Sequence, residues 1–233
     1  MTLILGIDDS GRGPLIGPMI LSGVLMEKKD EELLKRNGVN DSKQLLHPKR
    51  IELSKLIKEK AIKFHIVKSS PEEIDSSIQG GTNLNTLEAK KTAEIINELN
   101  TARLHKEKIK VIVDCPSVNT KAWRNTLLGF IKHIGNLEVL CEHKADANHI
   151  SVSAASILAK VTREEEVEKI KNKYKSLGNM GSGYPSDPYT IAFAKEHGKE
   201  LENEGIFRKT WKTWRALFPE TTVKKGQASL KDF

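Results

Sequence analysis

Leu3-Ile4-Leu5-Gly6-Ile7-Asp8-Asp9-Ser10-Gly11-Arg12-Gly13-Pro14 is an apolar run that ends in two adjacent acids and a glycine-rich turn. An uninterrupted apolar stretch from Leu3 to Ile7, bounded by turn-forming residues, predicts a short buried strand that delivers polar groups at its edge. Two neighbouring carboxylates there repel each other and return no packing energy, so a functional role for Asp8 and Asp9 outranks a structural one.

Outward from this strand, a tight Gly- and Pro-containing connection leads to a second predicted strand, Ile16 to Met26. Two short helices are expected between Asp30 and Lys60, the second opening near His47-Pro48, where proline suits a first turn. Alternation of Ile62, Phe64 and Ile66 with Lys63 and His65 predicts a half-exposed strand over Ala61 to Lys68. A helix follows from Leu84 to Leu99 with Asn83 as its cap. Ile109 to Val113 reads as a strand ending at Asp114, Thr120 to His133 as a helix, and Leu137 to Cys141 as a strand.

Beyond Asp146 comes a long helix whose Ser151, Ser153, Ala154, Ala155, Ser156 and Ala159 are small enough to let it lie close against a sheet. Hairpin-like strands first and crossover helices later describe an α/β domain with a mixed sheet covered on both faces. After Gly178 the pattern turns to glycine, proline and aromatic residues and then to short helices up to Phe218. The expected division is a catalytic domain over 1–177, a helical C-terminal extension over 178–218, and an exposed tail over 219–233.

Composition narrows the function classes. The longest uncharged apolar stretch, Leu15 to Met26, is broken by Gly17, Pro18, Ser22 and Gly23, which argues against a membrane span. No basic patch precedes an apolar leader, so a cytoplasmic location is expected. Cys115 and Cys141 lack companions at zinc-binding spacing and read as free thiols. A net charge of +7 from 38 basic and 31 acidic residues suits a polyanionic partner without demanding one.

Asp8, Asp9, Asp114 and Asp146 all fall where strand or helix ends would gather them. Four carboxylates brought together need cations, and hard divalent ions with oxygen ligands, Mg²⁺ or Mn²⁺, are the natural partners. Two such ions roughly 4 Å apart would activate a water and stabilise the leaving oxygen of an in-line phosphodiester cleavage. Taken singly, Asp114 also fits a turn that ends a strand, and Asp146 also fits a helix N-cap. In Gly11-Arg12-Gly13, the glycines let backbone approach a ligand and the arginine can reach phosphate; a plain connector is the alternative.

Gly6-Ile7-Asp8-Asp9-Ser10-Gly11-Arg12-Gly13-Pro14, with Gly17-Pro18 after it, closely resembles the signature of type 2 ribonucleases H. The similarity continues through Asp41-Ser42-Lys43, Val113-Asp114, Ala145-Asp146, the run Val152 to Arg163, and Gly181-Ser182-Gly183-Tyr184-Pro185. It looks closest to the archaeal and eukaryotic branch. The resemblance implies a ribonuclease H-like three-layer fold with a mixed five-stranded sheet. It implies a monomer that cuts the RNA of RNA–DNA hybrids and incises 5′ of ribonucleotides embedded in duplex DNA, for ribonucleotide removal and primer processing. The ends expected are 3′-hydroxyl and 5′-phosphate.

Asp8, Asp9, Asp114 and Asp146 would then be the catalytic and metal-binding acids. Gly11, Arg12 and Gly13 would recognise the ribonucleotide 2′-hydroxyl and phosphates, Lys43 a phosphate, and Tyr184 the deoxyribose that follows. Asp9 departs from the family's usual glutamate; an active enzyme with an altered Mg²⁺/Mn²⁺ preference is expected. A weakened, hybrid-binding module tethered to a clamp is the alternative.

Two C-terminal features complete the chain. Phe207, Arg208, Lys209, Trp211, Lys212, Trp214 and Arg215 interleave aromatic and basic residues; docking of the tryptophans is favoured, and the cations are left open. Gln227, Leu230 and Phe233 resemble the binding box for a sliding clamp, with the leucine and phenylalanine on one face of a helical turn.

Overall fold

The computed structural model describes residues 3–40 and 45–219. Lys43 and the tail residues Gln227, Leu230 and Phe233 lie outside the described residues.

A five-stranded sheet organises the molecule. Its strands are β1 (Leu3–Ser10), β2 (Met19–Glu27), β3 (Lys63–Ser69), β4 (Ile109–Asp114) and β5 (Leu137–Glu142), in the spatial order β3-β2-β1-β4-β5. β1 pairs antiparallel with β2, and β2 with β3, the second pair across a connection that carries two helices. β1 runs parallel to β4, and β4 to β5, the latter pair joined by a crossover through the helix Thr120–Leu128. The sheet is therefore mixed.

Nine α-helices surround the sheet among the described residues: α1 (Lys28–Arg36), α2 (His47–Lys60), α3 (Pro71–Gln79), α4 (Leu84–Leu99), α5 (Thr120–Leu128), α6 (Ala145–Asn148), α7 (Ile150–Lys173), α8 (Pro188–His197) and α9 (Lys212–Leu217). None is long and apolar enough to cross a membrane.

Period-two alternation along β1 separates the two cores. Leu3, Leu5 and Ile7 join Ala89, Ala93 and Ile96 of α4 and Trp123 and Leu127 of α5 on one face. Ile4 faces the other way, against Ala145 and Val152. A Cβ on Gly6 would lie 2.1 Å from the Ser151 carbonyl carbon, so glycine is what lets the first turn of α7 rest on β1. The small residues at the start of α7 are all buried in this contact. The result is three layers, helices on both sides of the sheet.

Several boundaries differ from expectation. β2 begins at Met19, not Ile16: Leu15 and Ile16 leave the sheet and enter a separate cluster with Phe193, Phe207 and Trp214. α5 stops at Leu128, because Gly129 follows and Asn97 takes the next turn by accepting from Lys132 N. α3 was not anticipated; Ser70 caps it through a bond from Glu73 N, with Pro71 in its first turn. Asp146 does not cap the long helix. It sits inside the short α6, and His149 occupies the N-cap of α7.

A candidate active site at the ends of β1 and β4

The parallel register of β1 and β4 ends at Ile7 beside Val113, which brings the next residues, Asp8 and Asp114, level with each other. Asp8, Asp9 and Asp114 line one small cleft with Glu88, Thr92, Pro116 and Trp123. Asp146 is buried just beyond, and the amide of its neighbour Ala145 donates to Asp114 Oδ1 at 2.9 Å. The chain thus brings all four predicted acids to one end of the sheet. Among the described residues, however, no three carboxylate, imidazole or thiol groups converge closely enough to hold a metal ion.

Strand alternation explains part of that spacing. Asp8 belongs to the face covered by α7, where Ser156 hydrogen-bonds it and Lys160 attracts it. Lys160 Nζ in turn donates to Ser156 Oγ at 2.5 Å. Asp9 belongs to the opposite face, beside Glu88 of α4. Burial pushes the Asp8 carboxyl well above the ordinary carboxylate range, and Asp9 and Asp114 push it further. At Asp8, burial and the neighbouring acids thus outweigh the pull of Ser156 and Lys160. An all-oxygen donor set in that state fits a hard divalent cation.

The turn after the acids is built from both sides. Gly11 has φ +86°, a left-handed conformation that favours glycine, and an added Cβ there would meet the Arg163 side chain at 2.6 Å. Arg12 does not reach out freely, as its sequence position implied. Its Nη2 donates to Asn85 Oδ1 at 2.5 Å, its Nη1 to the Pro116 carbonyl at 3.3 Å, and its Nε lies 3.0 Å from Glu88 Oε1. Gly13 is exposed, and Tyr184 overhangs it: a Cβ on Gly13 would lie 3.9 Å from Tyr184 Cε1.

Tyr184 itself lies over the Arg163 guanidinium, 4.8 Å from ring centre to Cζ. Arg163 Nη2 also donates to the Ser182 carbonyl at 3.2 Å. Ser156, Lys160 and Arg163 stand four and three residues apart on α7, so one helical stripe runs from Asp8 to the tyrosine. The C-terminal tryptophans dock as expected. Trp214 is buried against Phe207, and Trp211 Nε1 donates to the Gly13 carbonyl at 3.1 Å.

Residues to which the sequence assigned no definite role complete the surroundings. Arg208 is fully buried and hydrogen-bonds the carbonyls of Gly11, Arg12 and Gly17. Glu88 is buried too, and its carboxyl is pushed up to about 8 by burial and by Asp9, against the pull of Arg12. The histidines flanking Asp146 are engaged elsewhere, His149 with Glu142 and His143 with the Cys115 carbonyl. Both cysteines are free thiols.

The sequence model of the family described as ribonuclease HII matches residues 5–214. The chain belongs to the ribonuclease HII family. It is accordingly an endoribonuclease acting on RNA–DNA hybrids. The ribonuclease HII of Pyrococcus furiosus is 39% identical over 229 residues, covering 98% of this chain and 96% of that protein. Among solved structures, the ribonuclease H2 of Pyrococcus horikoshii OT3 superposes with a TM-score of 0.80 at 36% identity, covering 92% of this chain and 96% of the other. The ribonuclease HII of Archaeoglobus fulgidus, solved in a complex with PCNA, superposes with a TM-score of 0.76 at 35% identity, covering 90% and 95%. The expected ribonuclease H-like fold is the one observed, with the acids and the glycine-arginine-glycine turn of this ribonuclease HII at one end of its sheet.

Proposed function

We propose that this ribonuclease HII incises 5′ of a ribonucleotide embedded in duplex DNA, and cuts RNA–DNA hybrids by the same chemistry. The observation that carries this reading is the adjacency of two unlike features. A cleft lined by Asp8, Asp9 and Asp114 opens beside the turn Gly11-Arg12-Gly13, and Tyr184 covers the far side of that turn. A site with only the acids would cut phosphodiesters without regard to sugar. A site with the turn and the tyrosine beside them can read a 2′-hydroxyl on one nucleotide and its absence on the next.

Asp8, Asp9, Asp114 and Asp146 would hold divalent cations, Mg²⁺ or Mn²⁺, two in number. When bound, these ions supply Lewis acidity to the scissile phosphate and to the attacking water. The chain's own groups do the rest. Lys160, through Ser156, favours the ionised form of Asp8 against the repulsion of its neighbours. The exposed backbone at Gly13 lets a sugar approach closely. Tyr184, steadied by Arg163, offers a flat face to the deoxyribose beyond the junction. Lys43 would contact a phosphate.

Attachment to a sliding clamp through Gln227, Leu230 and Phe233 belongs to the same proposal; the complex of the Archaeoglobus fulgidus relative with PCNA supports it. Removing residues 227–233 should abolish clamp binding and leave hydrolysis of a short duplex intact.

Product mapping tests the main reading. On a duplex with one ribonucleotide, the cut is expected immediately 5′ of it, leaving a 3′-hydroxyl that a polymerase extends directly. A cut 3′ of the ribonucleotide, or ends that resist extension, would overturn it.

A further inference from the structure

Arg208 has no exposed surface and, among the described residues, no carboxylate paired directly with it. Burial, with Arg163 nearby, lowers its pKa to about 10, so it stays charged at neutral pH. Its donors go instead to backbone. Nη2 donates to the Gly11 carbonyl at 2.6 Å and to that of Gly17 at 2.9 Å, Nη1 to that of Arg12 at 2.8 Å, and Nε to that of Gly17 at 3.1 Å. The guanidinium also stacks on the Trp211 ring at 4.9 Å. Gly17 N and Arg208 N close the contact by bonding the Ile206 and Leu15 carbonyls at 2.9 Å each.

A trans peptide is planar, with its C=O and N–H pointing in opposite directions. Once the carbonyls of Gly11 and Arg12 are drawn inward to Arg208, the N–H groups of Arg12 and Gly13 must face outward. Among the described residues, neither of those amides donates a hydrogen bond. Trp211 holds the next carbonyl, that of Gly13, whose peptide partner Pro14 carries no N–H, so this bond anchors the end of the turn without orienting a further donor. Successive outward amides form a concave donor surface suited to an anion or a hydroxyl oxygen.

We infer that Arg208 is a positioning residue which, by gathering the carbonyls of Gly11 and Arg12, aims the Arg12 and Gly13 amides at the substrate and sets the preference for a ribonucleotide. Trp211 supports it by stacking on the guanidinium and anchoring the Gly13 carbonyl. The inference rests on the reading of this turn as the ribonucleotide contact. It assigns the orientation of that contact to a buried cation on the C-terminal extension, far from the acids in sequence. Lysine cannot replace the arginine here, because one ammonium cannot serve three carbonyls in the geometry of the planar fork.

Two variants test it, Arg208→Lys and Trp211→Phe, the second keeping the ring stack while losing the donor to Gly13. Both are made in an Asp114→Asn background to prevent cutting. Affinities are measured for two duplexes that differ only by one 2′-hydroxyl, and thermal melting is followed in parallel. The expected result is a folded variant whose preference for the ribonucleotide duplex falls about tenfold while its affinity for the all-DNA duplex is little changed. If Arg208→Lys does not fold, Trp211→Phe alone decides. Folded variants with the parental preference would overturn the inference while leaving the turn's role intact. A parental protein with no preference would overturn the reading of the turn itself, and the inference with it.

Discussion

Arg12 Nε lies 3.0 Å from Glu88 Oε1, and only 2% of the Glu88 side chain is exposed. The arginine between the two glycines of the turn is thus anchored to α4 across the same cleft that Asp8, Asp9 and Asp114 line. Its Nη2 also donates to Asn85 and its Nη1 to the Pro116 carbonyl. Arg12 therefore acts first as a brace between β1, α4 and the end of β4. Arg12→Lys should raise KM more than it lowers kcat, by about tenfold, because a point charge cannot bind three acceptors in fixed directions. Steady-state kinetics on a hybrid substrate would show this, and an unchanged KM would count against the brace.

The same pair predicts a pH dependence. The Glu88 carboxyl is raised from its ordinary 4.5 to about 8, burial being the larger cause and Asp9 the next. Between those values the folded chain keeps a proton that the unfolded chain has released. Stability from this group is therefore full below pH 4.5, falls as pH rises towards 8, and is level above that. Glu88→Gln cannot titrate. Melting both proteins with chelator present, the native chain should lose stability relative to the variant across that window. A difference that stays flat would contradict the assignment.

Gly6→Ala should be severely destabilising. The new methyl would sit 2.1 Å from the Ser151 carbonyl carbon and 2.4 Å from Val152 N, both backbone atoms that cannot rotate away. Separating α7 from β1 to make room should cost about 3 kcal/mol, or roughly 10 °C in Tm for a chain of this size. A thermal melt within two or three degrees of the native value would show that α7 yields more easily than this packing implies.

Tyr184→Phe should retain most selectivity for a ribonucleotide followed by DNA, since the ring over Arg163 is kept. Tyr184→Ala should lose it while still cutting long hybrids. Relative kcat/KM on the two substrate types measures this, and equal losses on both would contradict a junction-specific role.

Neither thiol should react quickly with iodoacetamide in the folded protein. Burial pushes Cys141 up to about 12 and also raises Cys115, so the thiolate is scarce at neutral pH. Mass spectrometry of protein alkylated before and after unfolding checks this, the expectation being labelling only after unfolding.

What could be read from the amino-acid order was what local chemistry decides. Asn83 before a periodic apolar run marked the start of α4, and its side chain does cap that helix through Thr86 N. Asp8, Asp9 and Asp114 could be placed at strand ends because apolar runs lead up to them, Leu3 to Ile7 and, with Lys110 as its interruption, Ile109 to Val113. α3 went unseen although Ser70-Pro71 with Glu73 carries a start signal; at nine residues its periodicity is too brief to stand out.

Glu88 and Arg208 were illegible for a different reason. In the sequence one lies close to Lys90 and Lys91 and the other next to Lys209, as solvated surface charges do. Only the tertiary fold buries them, Arg208 beneath a turn nearly two hundred positions earlier in the chain. The anchoring of Arg12 was illegible likewise, since it exists only once α4 is placed beside β1.

The most direct test of the central claim is the rate of incision at a single ribonucleotide in duplex DNA, with Mg²⁺ or Mn²⁺, by the native chain and by Asp8→Asn, Asp9→Asn, Asp114→Asn and Asp146→Asn. The native chain should cut with at least one of the two ions, its preference between them shifting in Asp9→Glu, and each asparagine variant should fold yet lose about a hundredfold or more in rate. A native chain that cuts with neither ion, or a folded Asp114→Asn or Asp146→Asn variant that cuts at the native rate, would contradict the account.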